Sequence, residues 1–325
     1  MITRKGGSRK VPAVSEKYNG GGSTPATPPF QATSADLGLL LMALIWGINF
    51  PLIKASLPEL PPLAFNALRF PLAAATVLLI LKAKGRVRWP EAGDWPRVIG
   101  LGIVGNVVYQ AFFIFGVDRT FAGNASILLA TTPVWTLVLS TASGHEKPSL
   151  QVWGGILATL SGMSLVVLGG RLEVGVPGSV FSGDLLMIGA AVTWSIYTVG
   201  SRGLIQKYGS LPVTAWTLWI GSLGLVIVGT PTLLRTPLSE VSPLAWSGMV
   251  YAGVLAIGLA YILWYRGVQR IGNSRTAAYS NLTPVIALMV AWIWLEEVPS
   301  PLQVAGAAVV LVGLSLARLG RERGS

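Results

Sequence analysis

DLGLLLMALIWGINF, from Asp36 to Phe50, is written again from Asp184 to Thr198 as DLLMIGAAVTWSIYT. In each run an acid leads and a Trp follows ten positions later, Trp46 and Trp194, so the two stretches are offset by 148 residues. Almost every position between acid and Trp is apolar. A run of about 20 mostly apolar residues crosses the hydrocarbon core of a bilayer as a helix, which satisfies its own backbone hydrogen bonds there. The doubled stretch therefore predicts a helical membrane protein built from a repeat.

Composition agrees. The chain has 325 residues, 52% hydrophobic and 11% charged, whereas a soluble domain carries about 25% charged residues. With no Cys, disulfide and thiolate chemistry drop out. The net charge of +11 would suggest nucleic acid, but the basic residues fall between apolar runs and topology accounts for them. Residues 1–35 are rich in Gly, Pro, Ser and Lys and are expected to form a disordered cytoplasmic tail. The tail is too long and Pro-rich for a signal peptide, so the first apolar run is expected to stay as an anchor.

Ten spans are expected: about 36–56, 63–82, 98–117, 122–142, 151–169, 184–202, 212–230, 244–266, 275–295 and 303–319. Turn formers fill the spacers, as in LPELPP and EEVPSP. With the N-terminus inside, nineteen Lys and Arg fall on inner segments and four (Lys54, Arg119, Arg171, Arg235) on outer ones. That bias places both termini in the cytoplasm and the chain in the cytoplasmic (inner) membrane.

The repeat runs nearly the whole length. After the first two helices the offset becomes 151: Trp95 matches Trp246, AGNAS at 122–126 answers IGNSR at 271–275, TTP at 131–133 answers LTP at 282–284, and Glu146 matches Glu297. Gly155, Gly162 and Gly169 match Gly306, Gly313 and Gly320. Two repeats follow, 36–170 and 184–320, each of five spans. An odd number makes the second copy enter from the opposite side, so the fold class is an all-α integral membrane protein of two inverted five-helix repeats. Such repeats mark secondary transporters, with the substrate site near the midplane between the halves.

WGINF in the first span, NALRFPLAA in the second, GNAS…TTP in the fourth, GNS…LTP in the ninth and Glu-x-Pro before the last span of each unit resemble the drug/metabolite transporter superfamily. Each unit resembles an EamA domain, and the whole is similar to YddG-type bacterial amino acid exporters. The resemblance covers residues 36 to about 320. It implies export of amino acids, a broad range including aromatic and other neutral ones; spacing and composition imply only a transporter.

Polar and aromatic residues at helical spacing within spans are the pathway candidates, because an unpartnered polar group in lipid is costly. They are Trp46 and Asn49 in span one, and Asn106, Tyr109 and Gln110 in span three. Trp194 and Tyr197 stand in span six, Tyr261 in span eight, and Tyr279 and Asn281 in span nine. Trp89, Trp95, Trp153, Trp216 and Trp246 read as interfacial belt residues. Pro133 and Pro284 each remove a backbone donor in mid-span and are candidate hinges. The glycines recur every seven residues, two helical turns, and form a stripe for close helix approach. Asp36 and Asp184 read as N-caps. Arg69, the basic residue within a span, would snorkel outward, contact backbone carbonyls or gate residues, or anchor a substrate carboxylate.

The first span lacks the Glu that related small multidrug exporters carry, Asp118, Glu240, Glu296 and Glu297 fall at span edges, and His145 lies in a loop. Uniport without proton coupling is therefore expected, with proton-coupled antiport or efflux of drug-like or toxic metabolites as alternatives. The expected partners are a small-molecule substrate and the lipid bilayer, with a monomer as the working unit. No cofactor, metal or nucleic acid is expected, and no cluster of nucleophiles suggests an enzyme.

Overall fold

The computed structural model describes residues 34–83, 85, 89–144, 148–171 and 178–322. The tail, His145 and Glu146 lie outside them, as does the side chain of Asn273. Every regular element among the described residues is helical. Ten helices are long and apolar enough to span: α1 Ser34–Ser56, α2 Pro62–Ala83, α3 Ala92–Arg119, α4 Ala122–Ala142, α5 Leu150–Gly170, α6 Ser179–Tyr208, α7 Ser210–Leu233, α8 Pro243–Trp264, α9 Ala278–Leu295 and α10 Pro301–Gly320. Their outward faces are apolar: Leu37, Leu79, Ile227 and Ile293 are all more than 60% exposed. A surface of this kind suits hydrocarbon, and so the chain is a multi-pass membrane protein.

Local chemistry sets several boundaries. Pro243 starts α8 behind Ser242, whose Oγ accepts from the Ala245 N–H at 3.3 Å. The Glu59 carboxylate accepts from both the Ser242 N–H and its hydroxyl, tying the α1–α2 turn to the start of α8 and holding the Glu59 carboxyl below its ordinary range. Gly209, at φ 86°, separates α6 from α7 in a conformation that a side chain resists.

The helices pair across the repeat with a two-fold logic. α1 packs on α8 and α9, while its copy α6 packs on α3 and α4. The pairs α2–α7, α4–α9 and α5–α10 join each helix to its own counterpart. The glycine stripes meet in the last of these. A Cβ on Gly162 would stand 2.7 Å from the Gly306 carbonyl oxygen, and one on Gly313 would stand 2.5 Å from the Thr159 nitrogen. Van der Waals approach of backbone to backbone drives such contacts where lipid offers no hydrophobic gain.

Three expectations change and one feature is new. α1 begins at Ser34 and α6 at Ser179, so neither Asp36 nor Asp184 is an N-cap; both sit inside a helix and serve other helices. The turn expected near 267–274 is absent, because helix runs from Ala260 through Ser280 and breaks at Asn281. The matching part of the first repeat breaks at Thr120 and Phe121, which are both extended, although neither stretch holds a Pro. Trp216 is not a belt residue but is 2% exposed, edge-on to Tyr208 at 5.1 Å. Finally, α3 and α8 each contain a π-helical stretch, Ile103–Val108 and Tyr251–Leu259, overlapping at the 151-residue offset. Such widened turns often occur at functional sites.

Candidate functional site

The two Trp residues of the doubled stretch occupy matched places. On α6, Trp194 lies 4.9 Å from the Tyr109 ring of α3 and 5.0 Å from Tyr197. On α1, Trp46 lies 6.3 Å from Tyr261 and 5.8 Å from Trp264 of α8, the copy of α3. Each Trp thus rests on the third helix of the opposite repeat. Trp46 is fixed further by its Nε1 donating to the Ala256 carbonyl at 2.9 Å. Tyr109 continues to Phe113 at 5.8 Å and Phe113 to Phe50 at 5.7 Å, making one aromatic chain across α1, α3 and α6. Phe50, Phe113 and Trp264 share the helical stripes of the candidates in spans one, three and eight, each three or four residues from one of them.

Asn49 is buried on the turn of α1 between Trp46 and Phe50, and its Oδ1 has no hydrogen-bond partner among the described residues. The Tyr197 hydroxyl shares a hydrogen bond with Thr217 Oγ1 at 3.1 Å. Other candidates are engaged elsewhere. Asn106 donates to the Thr217 carbonyl at 3.0 Å, a packing bond between α3 and α7. Gln110 accepts from Arg69 at 2.6 Å. Tyr279 donates to Asp36 at 2.7 Å, joining the starts of α9 and α1. Asn281 is half-buried at the break before α9's main helical segment.

Pro133 and Pro284 both follow a break. α4 is interrupted at Ala130–Thr131 and resumes at Thr132, and the ninth span resumes at Leu282 after Asn281. Each Pro lies in the first turn of a resumed segment, where its missing N–H costs nothing within the helix. Neither Pro therefore sits in an unbroken mid-span helix as the sequence suggested.

The end of the bundle away from the termini carries a polar knot that local sequence did not reveal. Asp184 is fully buried, and its Oδ1 accepts from Thr120 Oγ1 and from Asn124 Nδ2 at 3.3 Å; its Oδ2 has no partner among the described residues. Asn124 Oδ1 accepts in turn from Gln303 Nε2 at 2.8 Å. Lys54 donates to the carbonyls of Asp118 and Thr120 at 2.8 and 2.6 Å, and the Ala122 N–H donates to Glu297 at 2.7 Å. Five helices and the α9–α10 loop are stitched together, and four of the links cross between repeats. The signal that could have exposed Asp184 is its small neighbour Gly183, where a Cβ would stand 2.6 Å from the Thr120 nitrogen.

A cavity of about 490 Å³ lies apart from the aromatic chain, between the α1–α2 and α7–α8 loops, beside Glu59, Arg235 and Glu240.

Known proteins fit this architecture. Over 280 residues the chain is 28% identical to the uncharacterized transporter YyaM of Bacillus subtilis (strain 168), covering 85% of this chain and 90% of that one. It is also 28% identical over 289 residues to a probable terminal-alkyne amino-acid exporter of Streptantibioticus cattleyicolor, covering 88% and 94%. A solved crystal structure aligns at a TM-score of 0.62 with 24% identity, covering 90% of this chain and 99% of the other, which bears on the fold alone. The model of the EamA-like transporter family matches residues 33–168 and again 181–319, and the protein belongs to that family of transporters rather than to any class of enzyme.

Proposed function

We propose that this protein exports amino acids across the cytoplasmic membrane by alternating access, as a uniporter with both termini in the cytoplasm. The observation that carries the reading is the matched seating of Trp46 and Trp194 on the third helix of the opposite repeat. Rocking one repeat against the other would part both contacts, Tyr109–Trp194 on one side and Trp46–Trp264 on the other. Asn49, with a buried and unpartnered acceptor beside that seam, would meet a substrate N–H. Tyr109, Trp194, Tyr197, Trp46 and Tyr261 would supply the walls, and aromatic walls with few polar groups suit a range of small zwitterions. The amino-acid class is supported by the name of one relative. The excess of Lys and Arg on one side supports the orientation. Repeat units at 36–170 and 184–320 behind a tail of residues 1–35 accord with this reading. So does a hinge at the breaks before Pro133 and Pro284.

Counterflow in proteoliposomes with labelled neutral and aromatic amino acids tests it. Tyr109→Ala and Tyr197→Ala are expected to lower exchange by about tenfold, roughly the 1.4 kcal/mol of one lost aromatic pair. Folded variants that carry every amino acid like the parent would remove these residues from the pathway.

Proton-coupled antiport is a second reading, and the fully buried Asp184 favours it, since a titratable group inside the membrane is a candidate carrier. Imposing a pH gradient on the same vesicles separates the two. Uniport requires accumulation to ignore the gradient; antiport requires gradient-driven accumulation that Asp184→Asn abolishes.

A further inference from the structure

Arg69 lies in mid-α2, 2% exposed, and no carboxylate among the described residues is within ion-pair distance of it. Neither of the first two sequence expectations holds: it does not snorkel, and its acceptors are not backbone carbonyls. Its Nη2 donates to Asn66 Oδ1 at 2.9 Å and to Gln110 Oε1 at 2.6 Å, while Nε is buried without a partner. The rings of Phe65, Phe70 and Phe113 surround its Cζ at 5.4, 5.2 and 5.9 Å.

A guanidinium stays charged in proteins, so this one is a buried cation. Ring faces and neutral amide oxygens offset part of its desolvation, but neither supplies a negative charge. Both of its hydrogen bonds leave through one nitrogen, where a planar fork of five N–H groups could make more. That unfilled fork matches the two oxygens of a carboxylate. Its place is equally telling. Phe113 touches the guanidinium on one side and Tyr109 on the other, and Tyr109 is within electrostatic reach of Arg69. Phe113 and Tyr109 thus link the guanidinium, contact by contact, to Trp194 of the other repeat.

We propose that Arg69 is the carboxylate-binding subsite of the pathway, held in waiting by Asn66 and Gln110 and uncovered when Tyr109 separates from Trp194. This rests on the transporter reading above and assigns the group that would hold the substrate's carboxylate. The substrate carboxylate would take the Nε–H together with an Nη–H. Gln110 and Asn66 position the guanidinium and do not themselves select the substrate.

The full chain in proteoliposomes tests this through counterflow of labelled phenylalanine, with unlabelled phenylalanine or phenylalanine amide as competitor. The parent is expected to prefer the acid by at least tenfold. Arg69→Gln should erase that preference by raising the KM for the acid, and Arg69→Lys should restore part of it. A parent that treats acid and amide alike overturns the assignment, whatever the variants do. So does an Arg69→Gln protein that loses acid and amide equally, the mark of a structural role. If the parent carries no amino acid at all, the amino-acid reading fails and the subsite is read separately. In that case 3-phenylpropionate should raise the unfolding temperature of the purified parent, 3-phenylpropionamide should not, and Arg69→Gln should abolish the difference. Equal shifts from both compounds would overturn the subsite.

Discussion

The two ends of the bundle are fastened differently. Away from the termini, Asp184, Thr120, Asn124, Gln303, Lys54 and Glu297 join five helices and the α9–α10 loop through groups that are mostly withdrawn from solvent. At the end that carries the termini, Lys207 pairs with Glu91 and Asp94 at 2.7 and 2.9 Å, with 43% of the lysine side chain exposed. Arg97 reaches the Gly200 carbonyl at 2.8 Å, and Arg202 the Ser140 hydroxyl at 2.9 Å. Buried hydrogen bonds to charged groups contribute roughly 1.5–3 kcal/mol each, whereas exposed ion pairs contribute far less. One link to a buried carboxylate stands at the end bearing the termini as well, Tyr279 to Asp36 at 2.7 Å, so the two ends differ in the number of such links rather than in kind.

The contrast breaks first at Asp184. Asp184→Ala strands the Thr120 hydroxyl and the Asn124 amide in a buried site. A loss of roughly 3 kcal/mol is expected, read as a lower thermal midpoint in detergent; an unchanged midpoint would show that the knot fastens nothing. A smaller effect belongs to Glu297. Burial pushes its carboxyl above the ordinary range, against the opposing pull of the Ala122 N–H and the Lys54 ammonium. An acid whose folded pKa is raised favours the folded state when protonated. Its contribution is complete below the ordinary carboxylate range and is lost as pH rises through the raised value. The parent should therefore lose stability across that window, and Glu297→Gln should flatten the profile; parallel pH curves for the two proteins would refute the effect. The smallest change is expected at Lys207. Lys207→Ala should leave the thermal midpoint within measurement scatter, and a drop comparable to that of Asp184→Ala would erase the difference between the ends.

The repeat, the span count and the glycine stripes were legible because each is written at a fixed period along the chain. Trp46 and Trp194 were legible for the same reason. Asp184 was not. Its likeness to Asp36 suggested a local cap, but its partners Thr120 and Asn124 come from another repeat and no period links them to it. Asn106 and Tyr279 have the right residue type on an inward face, yet a neighbouring helix claims each polar group first. The π-helical stretches also escaped. They widen α3 and α8 where Gly105 lies under Tyr197 and Gly258 under Thr76, a demand set by the opposing helix rather than by the sequence around them.

The seam between α5 and α10 bears on how the chain is made. Gly155 and Gly162 need the backbone of α10 at their surface, and α10 leaves the ribosome after the other nine spans. Until then the first repeat sits in the bilayer with a bare glycine groove that lipid tails fill poorly. Assembly of the first half therefore waits on synthesis of the second. α10 acts as the closing stitch between the two repeats: a chain that stops before Pro301 would insert nine spans and leave α5 without the surface its glycines were shaped to meet.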